Sequence, residues 1–177
     1  MKTVSFFVFF VCVLSALPAI AELQWCDGKW QIELSGSIGI DSGKVDRSGD
    51  YMLRAMVDYE VPFADHVTLG LRALPLFVYE QDEDTVWGGG LGLGLRCYSV
   101  ANEYRGWFVE AAAYALGHKN HFEGNSANIN FLTGFGVGYK CKENWSGVLR
   151  WEHISNANIS KHNSGVNLFS LGVGYAF

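Results

Sequence analysis

The 177-residue sequence is poor in charged residues and in proline, and it lacks the patterns of several common functional classes. It has 13 Lys and Arg against 18 Asp and Glu and no basic run, which argues against a nucleic-acid partner. Beyond residue 21 no uninterrupted apolar stretch reaches 18 residues, so a helical membrane span is not expected. No C-x-x-C pair occurs, and no His lies at metal-ligand spacing from a Cys, so no zinc site is expected.

The first 21 residues have the pattern of a signal peptide. Lys2 precedes an apolar run from Val4 to Leu17, and Ala19-Ile20-Ala21 is a small-residue cleavage site. A membrane anchor is the alternative, but the run is short and ends in the cleavage motif. We therefore expect residues 22–177 to form one exported domain. At most one disulfide is expected in that domain, and its pairing is left open among Cys26, Cys97 and Cys141.

The rest of the chain alternates between apolar and polar residues with the period of two that is typical of β-strands. Eight such segments follow one another, and the 21 glycines and 15% aromatic residues suit many short strands. The third segment is predicted to place Phe77 and Tyr79 on the same apolar face as Leu71. Longer connections fall at residues 40–50, 118–128 and 156–166.

Each segment has about ten residues, the length of a tilted strand that crosses a bilayer. The interior of an eight-stranded barrel is filled by side chains, and buried charges there must pair. The charges predicted to pair are Arg54, Asp58, Arg72, Arg96, Glu110, Arg150 and Glu152. A soluble lipocalin-type barrel, with the apolar face inside, is the alternative. The sequence favours an all-β fold, an eight-stranded antiparallel transmembrane β-barrel of the bacterial outer membrane, with the longer connections outside the cell.

The apolar face of the seventh segment ends in two polar residues. Leu149 and Trp151 are followed on that face by His153 and Ser155. A polar pair that faces hydrocarbon needs a reason, because an unmet polar group is costly there. Residues i and i+2 of a strand lie on one side, so the imidazole can activate the hydroxyl as a nucleophile. The alternative is simple residence at the membrane interface, where His and Ser are common.

The stretch Glu-His-Ile-Ser-Asn-Ala-Asn at 152–158, with Asn-Ser-Gly-Val-Asn at 163–167, resembles the PagL-type lipid A 3-O-deacylases over about the last 30 residues. Their signature is a His-x-Ser-Asn-Ala block, then an Asn-x-Gly turn and a final strand. The resemblance implies an eight-stranded outer-membrane barrel that hydrolyses the ester of the 3-hydroxyacyl chain at position 3 of lipid A. It also implies that no metal cofactor is used, and that lipopolysaccharide and outer-membrane lipid are the partners.

Carried over to this sequence, the resemblance makes His153 the general base and Ser155 the nucleophile. Asn156 and Asn163 become substrate-binding residues, Asn156 near the oxyanion and Asn163 with a turn-forming alternative. The family's third catalytic residue, a Glu fourteen residues after the His, is replaced by Asn167. Its amide oxygen can orient the imidazole, but it does not offset the positive charge of an imidazolium. If the last hairpin is symmetric, Asn167 lies across from Ser155 and near His153.

Two functional hypotheses follow from these residues. The first is a serine esterase that deacylates lipid A in the outer leaflet, with Asn167 as the orienting residue. The second is a non-catalytic outer-membrane barrel with a surface-binding or structural role, which the missing acid favours. A phospholipase acting from the same face is a third hypothesis, and the acyl-chain preference and the formation of a homodimer stay open.

Overall fold

The computed structural model describes residues 25–41 and 45–177, which form a closed antiparallel β-barrel. A 3-10 turn at Trp25–Asp27 comes first, and no helix within these ranges is long and apolar enough to cross a membrane. The strands are β1 (Lys29–Ile40), β2 (Tyr51–Ala64), β3 (Val67–Glu80), β4 (Val86–Val100), β5 (Arg105–Lys119), β6 (Ile129–Lys140), β7 (Trp145–Ser155) and β8 (Val166–Ala176). Each strand pairs with the next and β8 closes on β1, which confirms the predicted eight-stranded barrel. The expected signal peptide lies outside the described residues.

The outer surface of the barrel is apolar and its interior is polar. On β7, for example, exposed Leu149 and Trp151 alternate with Arg150 and Glu152, which are only 3% and 2% exposed. A soluble barrel has the opposite arrangement, because its apolar residues face the core. The lipocalin-type alternative is therefore wrong for this chain.

The barrel has two different ends. The start of β1, the end of β8 and the short connections, such as residues 101–104, lie at one end, and the longer connections lie at the other. Three Trp–Tyr pairs surround the end with the short connections, with ring centroids 4.8, 5.4 and 5.1 Å apart: Trp30–Tyr59, Trp107–Tyr139 and Trp145–Tyr175. Outer-membrane barrels place such aromatic residues at the membrane interface and keep their short turns in the periplasm.

The charges predicted to fill the interior pair with one another. Glu110 accepts hydrogen bonds from Arg72 at 3.0 Å and from Arg96 at 2.9 Å. Arg54 donates to Glu152 at 2.8 Å. The network also includes three charges that the sequence places on the polar face without assigning them partners: Glu33, Glu60 and Lys140. This pairing offsets the cost of taking the charges out of water.

The half of the interior that lies towards the longer connections is apolar. The predicted orientation of two of its residues is wrong. Phe77 and Tyr79, expected on the lipid face, are 1% and 0% exposed in the core. The pairing of β3 with β4 shifts between Leu74 and Phe77. Pro75 lies within this shift, and because proline has no N–H it interrupts the ladder. The resulting bulge changes the phase of the alternation and turns the following residues inwards.

The three cysteines within the described residues are all free. Cys26 and Cys97 are exposed and Cys141 is half-buried. Residues 25–41 and 45–177 therefore contain no disulfide.

Candidate active site

Three polar side chains project from the lipid-facing surface of β7 and β8, near the end with the longer connections. They are His153, Ser155 and Asn167, and each is half-buried. His153 and Asn167 are direct cross-strand partners. The Oδ1 atom of Asn167 accepts a hydrogen bond from Nδ1–H of His153 at 2.8 Å. Because Nδ1 carries the proton, the Nε2 atom of the neutral imidazole has a free lone pair that can accept one.

The register of this hairpin differs in part from the prediction. Asn167 bonds to His153 as expected, but it does not lie across from Ser155. The ladder pairs Ile154 with Val166, and both side chains are buried in the apolar core. Because Val166 is buried opposite Ile154, the pairing is shifted by two residues from that of a symmetric hairpin, and Asn167 lies opposite His153.

The imidazole of His153 leans towards the position across from Ser155. Continuing the β7–β8 ladder by one residue places Gly165 opposite Ser155. A Cβ atom built on Gly165 would lie 3.0 Å from Nε2 of His153, so the free nitrogen is in this space. Within the described residues the Ser155 hydroxyl makes no hydrogen bond, which leaves it available to the imidazole and to a substrate.

Thr133 of β6 is a fourth polar residue in the same row, although it is not among the residues that the sequence predicted for the site. It is the cross-strand partner of His153 on the side away from Asn167. Phe131 and Phe135 flank it on an otherwise apolar lipid face. The sequence signal that identifies His153, a polar residue in an apolar row, is therefore present at Thr133 as well.

Asn156 does not reach the surface beside Ser155. Its side chain is 0% exposed and lies within the connection between β7 and β8. Its Nδ2 donates to Oδ1 of Asn125 at 3.0 Å and to the carbonyl oxygen of His162 at 2.9 Å. Its Oδ1 accepts from the backbone N–H of Asn158 at 2.9 Å. These bonds use the amide group to hold the connection in place.

Asn163 supports the same segment. Its Oδ1 accepts a hydrogen bond from the backbone N–H of Asn156 at 2.9 Å, and its Nδ2 donates to Oδ1 of Asn158 at 3.0 Å. Asn163 is half-buried, whereas Asn156 is fully buried. The structure thus brings His153, Ser155 and Asn167 together and places the two other asparagines in the loop above them.

The connection at residues 156–165 is fastened to the neighbouring one at 120–128. The backbone N–H of Ser164 donates to the carbonyl oxygen of Gly124 at 2.9 Å, and the hydroxyls of Ser126 and Ser160 are 3.0 Å apart. Phe122 is fully buried in the core below these contacts. The outer border of the site is therefore formed by two loops that are joined by hydrogen bonds.

In the part of the chain that the structure describes, no carboxylate bonds to His153 or Ser155. Glu152, next to His153 in the chain, points into the barrel and accepts from Arg54. Among the hydrogen bonds of the described residues, the amide of Asn167 is the acceptor on the imidazole. No three His, Cys, Asp or Glu side chains in the described ranges come together in a way that could hold a metal ion.

Comparison with known proteins gives one family and several similar barrels. A family model described as Lipid A 3-O-deacylase (PagL) matches residues 29–176, which include all eight strands and the site. The N-terminal barrel domain of Pseudomonas aeruginosa OprF is 18% identical with a TM-score of 0.51, and the match covers 85% of this chain and 100% of that one. Yersinia pestis Ail is 14% identical with a TM-score of 0.50, over 85% and 100% of the two chains. A de novo designed transmembrane β-barrel is 11% identical with a TM-score of 0.52, over 85% and 96%.

At these identities the solved structures show the fold alone, an eight-stranded barrel of the outer-membrane kind. No protein of curated function matches the chain.

Proposed function

The chain belongs to the PagL family of lipid A 3-O-deacylases, and from this premise we propose that it is a serine esterase of the bacterial outer membrane. Its substrate is lipid A in the outer leaflet, and it cleaves the ester of the 3-hydroxyacyl chain at position 3. The observation that carries the proposal is the 2.8 Å bond from His153 to Asn167, which leaves Nε2 free on the same face of β7 as the unbonded hydroxyl of Ser155.

The reaction has two steps, and each one moves a proton through His153. In the first, Oγ of Ser155 attacks the acyl carbonyl carbon while Nε2 takes the hydroxyl proton. The tetrahedral intermediate collapses, and the 3-oxygen of lipid A leaves with that proton. In the second, Nε2 takes a proton from water, which attacks the acyl-serine. The 3-hydroxy fatty acid is released, and Ser155 regains its proton.

The position of the site suits a substrate that is itself part of the bilayer. The acyl chains of lipid A lie in hydrocarbon, so the nucleophile must be on the outside of the barrel near the headgroups. Ser155 is the last residue of β7, at the end of the barrel opposite the short connections. The lumen offers no route to the substrate, because paired charges such as Arg96 and Glu110 fill it.

Asn167 is the uncharged third residue of the proposed catalytic triad, after Ser155 and His153. Its oxygen fixes the imidazole tautomer and holds the ring, which a catalytic Asn does in Cys-His-Asn sites. It does not neutralise the imidazolium that forms when Ser155 loses its proton. We therefore expect a slower enzyme than one with a carboxylate at this position.

The asparagine at position 167, in place of an acid, also supports a second candidate function. A barrel whose ancestor lost its catalytic acid would keep the fold and the His-x-Ser pattern without hydrolysing lipid A. Its role would then be structural or in surface binding, and Asn167 is the residue that favours it.

Mass spectrometry of lipid A decides between the two functions. Cells that express the wild type should lose one 3-hydroxyacyl mass from lipid A, and cells that express Ser155→Ala should not. Ser99→Ala is the matched control, because Ser99 is an exposed serine of β4 at the opposite end of the barrel, and it should retain activity. Heat-modified gel mobility shows that each variant is folded. Unchanged lipid A with folded wild type would refute the esterase and favour the non-catalytic barrel.

A further inference from the structure

Gly165 touches the imidazole of His153 more closely than any side chain would allow. It directly precedes Val166, the first residue of β8. A Cβ atom at this position would lie 3.0 Å from Nε2 and 3.4 Å from Nδ1 of His153, and closer still to Cε1. The ring therefore occupies the volume that the side chain of any other residue would need.

The backbone of Gly165 gives no other reason for a glycine. Gly49, Gly106 and Gly124 have φ values of 98°, 82° and 69°, in the region that disfavours residues with a Cβ atom. Gly165 is not among the residues with positive φ. An alanine at this position is therefore compatible with the backbone, and its conflict is with the imidazole alone.

We propose that Gly165 is a positioning residue for the general base. The space above it lets the His153 ring lean over β8, so that Nδ1 reaches Asn167 while Nε2 lies at the position across the ladder from Ser155. A methyl group would push the ring away from β8 and move Nε2 out of that position. The inference rests on the proposed function of this site. It means that the glycine of the Asn-Ser-Gly turn is needed to position the catalytic imidazole and not to form the turn.

The first test is the activity of Gly165→Ala on lipid A in vesicles. We expect kcat to fall about 100-fold with KM within about twofold of the wild type, since a misplacement of about 1 Å costs this much in rate. Gly147→Ala is the matched control. It lies on the lipid face of β7, a Cβ atom there meets nothing within 4 Å, and we expect wild-type activity. A kcat of Gly165→Ala within about threefold of the wild type would overturn the proposal.

The second test asks whether the effect acts through the ring. In a His153→Ala parent no imidazole is left to displace, so adding Gly165→Ala should change the residual rate by less than about twofold. An equal loss in both parents would mean that the alanine disturbs the backbone, and would overturn the proposal.

The third test does not depend on activity and separates this proposal from the proposed function. Gly165→Ala should lower the midpoint of urea unfolding in vesicles when His153 is present, and should leave it unchanged in the His153→Ala parent. If the wild type does not hydrolyse lipid A, this comparison alone decides whether Gly165 makes room for the ring. Equal midpoint shifts in the two parents would overturn the inference.

Discussion

Replacing Asn167 with Asp should make the proposed enzyme faster. The two side chains have the same shape, so the carboxylate would take the place of the oxygen that already lies 2.8 Å from Nδ1 of His153. What changes is the charge beside the imidazole. An imidazolium forms as Ser155 gives up its proton, and the carboxylate stabilises it where the amide does not.

The size of the gain follows from this hydrogen bond. A net contribution of about 0.5–1.5 kcal/mol is typical of a neutral bond, and about 1.5–3 kcal/mol of a bond to a charged group. The difference of about 1–1.5 kcal/mol corresponds to roughly a tenfold increase in kcat. The Asp-to-Asn change in a Ser-His-Asp triad costs about 10⁴-fold because it gives the wrong tautomer. Here Asn167 already selects the right tautomer, so we expect the smaller factor.

The assay is the release of 3-hydroxy fatty acid from lipid A in vesicles, with purified and folded variants. Asn167→Asp should raise kcat with little change in KM, and Asn167→Glu, which restores the family's residue, should raise it as well. Asn167→Ala should lower kcat by up to about tenfold, because the orienting bond is lost. In a Ser155→Ala parent the Asp should have no effect. If the wild type has a measurable rate and both acidic variants leave kcat unchanged or lower, Asn167 is not the third member of the site.

Three further predictions concern the barrel and the loop above the site. Arg150→Met removes the main partner of buried Glu33, which keeps only Arg96 at 3.9 Å, and should lower the free energy of unfolding in urea by up to about 3–5 kcal/mol. The exposed Lys142→Met should leave the free energy of unfolding almost unchanged. Leu149→Arg puts a charge on the lipid face midway along β7 and should lower the free energy of unfolding by about 2–4 kcal/mol in the same assay. Leu149→Ile is the conservative control. A smaller loss of stability for the Arg variant than for the Ile variant would contradict the assignment of that face to lipid. Asn156→Ala should lower the stability of the loop at residues 156–165 by about 1–3 kcal/mol and speed its proteolysis. The barrel should keep its heat-modified gel mobility. Cleavage at the wild-type rate would show that the Asn156 amide does not hold the loop.

The fold could be predicted because the two-residue alternation continues through nearly the whole chain. The prediction was wrong where a single residue broke the period, since a shift by one residue turns every later side chain to the other face. Pro75 was the available signal, as a proline inside a strand pattern marks an edge or a bulge. The ion pairs were a different problem. Arg54 and Glu152 are 98 residues apart, and nothing in the sequence says which charges meet across the lumen.

The site could be predicted in type but not in register. His153 and Ser155 stand out because they interrupt an apolar row, and the family resemblance, with its acid fourteen residues after the His, points to Asn167 as the partner. The length of the last connection does not fix the pairing, however, because burial of Val166 decides it. The sequence also does not show that the side chain of Asn156 is buried in the loop, where its amide bonds to Asn125.

The interior and the proposed site depend on each other through the alternation of β7. Glu152 and His153 are neighbours in the chain, so they must face opposite sides of the barrel wall. A slip of β7 by one residue would place His153 in the lumen and expose the carboxylate of Glu152 to hydrocarbon, where an unpaired charge is costly. The buried pair of Glu152 with Arg54 opposes that slip. The ion network therefore does more than fill the barrel, because it fixes the register that keeps the imidazole and the hydroxyl on the lipid side.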